Sequence, residues 1–144
     1  MRERTRCLRA SEIAVGDELP QYALPVTSTV IVAGAIASRD FMPAHHDAEF
    51  AKSQGAPDLF MNILTTNGYV AKFITDWAGP EAMIRKIAIR LGAPAIPGQP
   101  LRFDGRVAQK QLEADECVIE VTMRAANELG DHAIGSVVVS LPLD

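Results

Sequence analysis

The chain has 144 residues, 48% of them hydrophobic, which suits one compact domain over residues 1–144. Fourteen basic residues stand against 18 acidic ones, for a net charge of −4, and 6% of the chain is aromatic. With no basic stripe and so few rings for base stacking, a nucleic-acid partner is not expected.

In chain order, the N-terminus is charged at Arg2, Glu3, Arg4 and Arg6 and lacks the apolar run of a signal peptide. Residues 1–20 read as a lead-in arm that ends in the turn-rich Val15-Gly16-Asp17-Glu18-Leu19-Pro20. Tyr22 to Thr27 is a candidate first strand. Ser28 or Thr29 is a candidate cap for a short apolar helix through Ile31, Val32, Ala35 and Ile36, ending near Ser38-Arg39-Asp40. Asp40 to Ala44 contains Pro43 and reads as loop. Asp47 is a plausible N-cap for a helix over Ala48–Gln54, which Gly55 ends.

Leu59 to Trp77 is the longest helical candidate. It is apolar on most sides, so it reads as buried all round, with Gly68 and Ala71 small enough to let a sheet approach closely. Gly79-Pro80 stops it. The period then changes from helical to alternating. Apolar residues fall at every second position in four segments, around Ile87–Leu91, Leu101–Val107, Cys117–Met123 and Ala133–Leu141. Four such segments separated by turns predict an antiparallel meander, and one long helix against such a sheet makes an α+β arrangement. No segment is long and apolar enough for a membrane helix. Cys7 and Cys117 have neither metal-ligand spacing nor a redox partner. Cys117 fits a small core residue, and the expected setting is a cytoplasm that keeps thiols reduced. Arg85, Lys86, Arg90, Arg102 and Arg106 are the cations that could form a patch for a phosphate-bearing ligand.

Two of the three histidines fall in Ser38-Arg39-Asp40-Phe41-Met42-Pro43-Ala44-His45-His46-Asp47. Asp40 and His45 stand five residues apart, with Pro43 holding the loop extended and restricting Met42 to extended conformations. A carboxylate and an imidazole that bracket one water suit addition of water to an activated double bond. One takes a proton from water and the other protonates the carbon beside the carbonyl. Backbone N–H groups at the start of the long helix, near Leu59 to Asn62, are the natural donors for the developing enolate oxygen. Blander roles stay open: Asp40 as a helix terminator, His45 as a polar loop residue. A metal site at His45, His46 and Asp47 is the weaker alternative, since adjacent histidines in a strand-like loop point apart. His132, in Gly130-Asp131-His132, reads as a structural hairpin residue.

Asp40-x-x-x-x-His45 with Pro43 between resembles the signature of MaoC-like, hydratase-2-type enoyl-CoA hydratases. That resemblance implies a hot-dog fold, hydration of a trans-2-enoyl-CoA without a cofactor of its own, and Asp40 and His45 as the catalytic pair. The family's usual Asn two residues after the Asp is replaced here by Met42, so its supporting hydrogen bond is absent or supplied elsewhere. Phe60-Met61-Asn62 stands where the family commonly has His-Gly, and is expected to bind the thioester carbonyl.

A narrower resemblance is to the smaller subunits of actinobacterial steroid side-chain enoyl-CoA hydratases. It rests on Ser38-Arg39-Asp40-Phe41 with His45-His46-Asp47, on Asp58-Leu59-Phe60-Met61-Asn62-Ile63-Leu64-Thr65, on Thr75-Asp76-Trp77-Ala78-Gly79-Pro80 and on Leu129-Gly130-Asp131-His132. It implies a bulky polycyclic acyl-CoA and a larger MaoC-like partner, with a homodimer as the alternative. Tyr69, Phe73 and Trp77 are then candidates for an apolar helix face left to the partner. A hot-dog thioesterase and a non-catalytic acyl-binding subunit are the competing readings.

Overall fold

A computed structural model describes residues 6–143; Arg2, Glu3 and Arg4 of the charged N-terminus lie outside them. The elements run β1 (Tyr22–Leu24), α1 (Ser28–Ala37), a 3-10 turn (Pro43–His45), α2 (Ala48–Ser53), α3 (Ile63–Ala78), β2 (Met83–Leu91), β3 (Leu101–Leu112), β4 (Glu116–Asn127) and β5 (Gly130–Pro142). The strands form one antiparallel sheet in the order β1-β3-β4-β5-β2. The α+β arrangement is the one expected.

The neighbour relations differ from a four-strand meander. Only β3, β4 and β5 follow one another across the sheet, and β2 pairs with β5 at the far edge. Alternation fixes which face a side chain takes and leaves the partner strand open. The segment after Leu91, with Pro94, Pro97, Gly98 and Pro100, carries the chain from one edge of the sheet to a position beside β1. Four strands therefore present one apolar face: Phe103 and Val107, then Ile119 and Val121, then Val137 and Val139, with Ile87 and Ile89 half-buried at the edge.

α3 lies on that face through Thr66, Val70, Phe73, Ile74 and Trp77, all buried, with the Phe73 and Phe103 rings in contact at 5.7 Å. Recurrence every three to four residues makes this one helical stripe, so α3 is not buried all round. The helix also starts later than expected: Leu59, Phe60 and Met61 precede it, and Asn62 caps it by accepting from the Thr65 N–H at 3.0 Å. Phe73 and Trp77 are core, and the apolar residues left on the outer side are Ile63 and Leu64, each about half exposed. Gly68 faces away from the sheet, with nothing within 4 Å of where a Cβ would stand. The close approach occurs instead at Gly34 of α1, where a Cβ would collide with the Thr65 side chain.

α1 is capped by Thr27, one residue before the expected Ser28, its hydroxyl accepting from the Val30 N–H at 3.1 Å. Asp47 caps α2 as expected, accepting from the Phe50 N–H at 3.0 Å. Both cysteines are buried, and the Cys7 thiol donates to the Ala78 carbonyl at 3.1 Å. The five candidate cations do not gather: Arg85 is engaged by Glu116 and Ser140, Arg106 donates to the Gly16 carbonyl, and β2 and β3 are separated by β4 and β5. Among the described residues no helix is long and apolar enough to cross a membrane.

Candidate active site

Asp40 is placed by the way α1 ends. The Asp40 N–H donates to the Ala35 carbonyl at 2.9 Å and the Arg39 N–H to the Ile36 carbonyl at 3.0 Å, with Arg39 in the left-handed region at φ 58°. This is the paired-carbonyl stop that reverses a helix terminus, usually with glycine at the left-handed position. It turns Asp40 out of the helix and back toward the start of α3.

Pro43 does not hold the following loop extended. It opens a tight 3-10 turn whose third residue is His45, while Met42 before it keeps the extended ψ of 123°. The turn brings both side chains to one place: His45 Nε2 lies 3.4 Å from Asp40 Oδ2. His45 is 8% exposed and His46 is exposed, so the two histidines do point apart.

The lead-in to α3 orients the imidazole. His45 Nδ1 is 2.7 Å from the Phe60 carbonyl oxygen, which can only accept, so Nδ1 carries the proton. Neutral His45 therefore turns the lone pair of Nε2 toward the Asp40 carboxylate. The Phe60 N–H returns a bond to the Ala44 carbonyl at 3.2 Å, and its ring meets the imidazole edge-on at 4.9 Å. Asn62 holds Asp40: its Nδ2 donates to Asp40 Oδ2 at 3.0 Å and to Ser38 Oγ at 2.9 Å. This amide, together with the Met42 N–H, keeps the Asp40 carboxyl below the usual carboxylate range. The hydrogen bond missing at Met42's side chain is thus supplied from position 62.

The three residues expected to bind the thioester carbonyl, Phe60, Met61 and Asn62, differ in whether their N–H groups are engaged. The N–H groups of Phe60 and Met61 are already committed, to Ala44 and to Ala95 at 2.9 Å, and that of Leu59 to Asp58. Chain entry into a capped helix consumes donors one residue at a time, and those left over belong to the cap and first turn. Among the described residues, nothing accepts from the N–H of Asn62 or Ile63. Both residues line a cavity of about 320 Å³ with Asp40, His45, Phe60, the Gly92–Pro94 turn and His132.

His132, read from the sequence as structural, lines this cavity too. It is 2% exposed, with Nδ1 2.8 Å from the Ala93 carbonyl and Nε2 2.8 Å from Thr66 Oγ1. Burial pushes its pKa down. Nothing in local spacing ties residue 132 to residue 40; only the β5–β2 pairing beside the turn does.

The family model described as MaoC like domain matches residues 11–128, and the chain belongs to this family. The 3-oxo-4,17-pregnadiene-20-carboxyl-CoA hydratase beta subunit of Mycobacterium tuberculosis is 41% identical over 127 residues, 88% of this chain and 95% of that one. The crystal structure of the ChsH1-ChsH2 complex from the same organism matches with a TM-score of 0.79 at 40% identity, over 91% of this chain and 98% of that one. R-Hydratase PhaJ1 from Pseudomonas aeruginosa matches in fold, with a TM-score of 0.85 at 18% identity over 96% and 88%. The fold is the hot-dog fold expected from the motif.

Proposed function

We propose that this chain catalyses the reversible hydration of a trans-2-enoyl-CoA carrying a bulky, steroid-derived acyl group. The observation that carries the reading is the facing pair of acceptors. His45 Nδ1–H is spent on Phe60, so when His45 is neutral its Nε2 and Asp40 Oδ2 face each other 3.4 Å apart as acceptors. A water donating one O–H to each resolves that conflict and leaves its oxygen lone pairs free for C3 of the substrate.

The carboxyl of Asp40, held low by Asn62, is a poor proton acceptor, which leaves the imidazole as base. As the C3–O bond forms, Nε2 takes the water proton and the C2=C3 electron pair moves toward the thioester oxygen. The N–H groups of Asn62 and Ile63, at the positive end of α3, donate to that enolate oxygen. The imidazolium, stabilised by Asp40, then returns its proton to C2, and the reverse order eliminates water. Coenzyme A travels on the substrate, and these steps draw on no other cofactor.

Beside the site, a cavity of about 400 Å³ runs between α1 and α3 past Gly34, Ser38, Leu64, Gly68 and Tyr69. Ser38 is bonded to the same Asn62 amide that holds Asp40, so this groove adjoins the reacting centre. Its largely apolar lining, with Lys72 the one charged side chain among its described residues, supports a bulky acyl group, as does the similarity to a subunit of a pregnadiene-carboxyl-CoA hydratase. That relative is a beta subunit, and the matched structure is a two-component complex. We therefore infer that this chain works in a heteromer with a larger MaoC-like subunit, in a cytoplasmic setting that suits two buried cysteines not joined in a disulfide. The test follows enoyl absorbance and free thiol separately, with crotonyl-CoA and a steroid enoyl-CoA as substrates. Loss of enoyl absorbance without thiol release is expected. Thiol release would mark a thioesterase, and neither signal would mark a non-catalytic subunit.

A further inference from the structure

We infer that Thr66 and His132 form a buried positioning pair that holds the first turn of α3 where its free N–H groups meet the thioester carbonyl, an inference that rests on the hydratase reading above. Both side chains are polar, and both are almost wholly buried. Buried polar groups are nearly always hydrogen-bonded, because leaving one unsatisfied is costly. The Ala93 carbonyl fixes the His132 tautomer with its proton on Nδ1, so Nε2 is an acceptor and the Thr66 hydroxyl donates to it at 2.8 Å. The same hydroxyl lies 3.3 Å from the Asn62 carbonyl, at the cap of α3.

The far end of the link is anchored as firmly. The Gly92 N–H donates to the His132 carbonyl at 2.9 Å and the Ala93 N–H to the Asp131 carbonyl at 2.7 Å. The imidazole therefore spans from a turn clamped to β5 across to the first turn of α3. That turn carries the Asn62 amide on Asp40 and the free N–H groups of Asn62 and Ile63. A shift of well under an ångström there separates donors from the developing oxyanion, and misplacement of about 1 Å costs about a hundredfold in rate. An apolar pair would fill the space but would hold no direction.

The test uses Thr66→Val, Thr66→Ser and His132→Asn in the chain as purified with whatever partner it retains. His132→Asn keeps a donor for Ala93 while removing the acceptor for Thr66. Four quantities are read: kcat and KM on crotonyl-CoA, the absorbance maximum of bound 4-(dimethylamino)cinnamoyl-CoA, and the melting temperature. The absorbance of that conjugated thioester moves red as its carbonyl is polarised. Thr66→Val and His132→Asn are expected to lower kcat about tenfold or more with KM within about twofold, and to shrink the red shift. Thr66→Ser is expected to restore both. A full red shift and normal kcat in Thr66→Val, whatever its melting temperature, would overturn the inference while leaving the proposed function standing. So would failure of Thr66→Ser to recover, or loss of the fold in both disruptive variants, since each assigns the pair to stability alone. Absence of hydration by the unsubstituted protein would overturn both readings together.

Discussion

Asn62 uses every polar atom of its side chain. Its Oδ1 accepts from the Thr65 N–H, which fixes the amide orientation and sends both Nδ2 hydrogens to Ser38 and Asp40. Capping α3 and holding Asp40 ionised are therefore one act, and substitution can separate them. Asn62→Asp keeps an oxygen for the cap but puts a like charge where a donor stood, so the Asp40 pKa should rise above its present depressed value. Carbon-13 NMR titration of the Asp40 carboxyl, assigned by its loss in Asp40→Asn, measures this; an unmoved midpoint would contradict the role given to Asn62. Asn62→Ala should in addition cost about 1 kcal/mol of stability for the lost cap.

His132 gives a second prediction at this scale. Its folded pKa lies below its ordinary value of 6.5 because burial opposes the charge. Between those two values the unfolded chain binds the extra proton and the folded one does not. The stability tied to neutral His132 is thus complete above pH 6.5 and lost as pH falls toward the folded value. The melting temperature should drop over that window, and His132→Asn should flatten the drop; an equal slope in both proteins would contradict it. Sequence reading reached Asp40 and His45 because both lie in one ten-residue stretch with a proline between them. It read His132 as a structural hairpin residue and gave no sign of its contacts, because residues 93, 66 and 132 meet only through sheet pairing and helix packing.

Among the elements, α1 and α3 meet at a glycine whose role no pattern marks. At Gly34 a Cβ would enter the Thr65 side chain, whereas at Gly68 it would meet nothing within 4 Å. The two Gly→Ala exchanges should therefore differ in sign. Gly34→Ala is expected to destabilise by about 1–3 kcal/mol through overpacking. Gly68→Ala should stabilise by up to about 1 kcal/mol through helix propensity. Urea unfolding of both variants checks this, and a destabilised Gly68→Ala would show that its face is not open. The helix and strand segments themselves were largely legible, because alternation and the Gly79-Pro80 stop are local. The start of α3 was not: Leu59-Phe60-Met61 is as apolar as a helix face, but its backbone groups bond to Ala44, His45 and Ala95 instead. Tertiary pairing outweighed composition there, and it moved the free N–H groups from Phe60 and Met61 to Asn62 and Ile63. Strand order was likewise invisible, since β2 reads as the neighbour of β3 yet pairs with β5.

For the whole molecule, β2 is a nine-residue edge strand with Met83 and Leu91 exposed, and Ile36, Phe41, Met42, Ile63 and Leu64 are exposed around the site. Long edges and apolar surface of this kind are normally covered. Sedimentation of the purified chain should show self-association, or conversion to a heteromer when a larger MaoC-like subunit is added. A monomer that hydrates a steroid enoyl-CoA at full rate would contradict that assembly. The central claim is that Asp40 and His45 share one water, and single-residue turnover tests it most directly. Hydration rates of Asp40→Asn and His45→Gln, measured on protein whose circular dichroism matches the unsubstituted chain, should each fall by about a hundredfold or more; near-normal turnover in either variant would remove that residue from the mechanism.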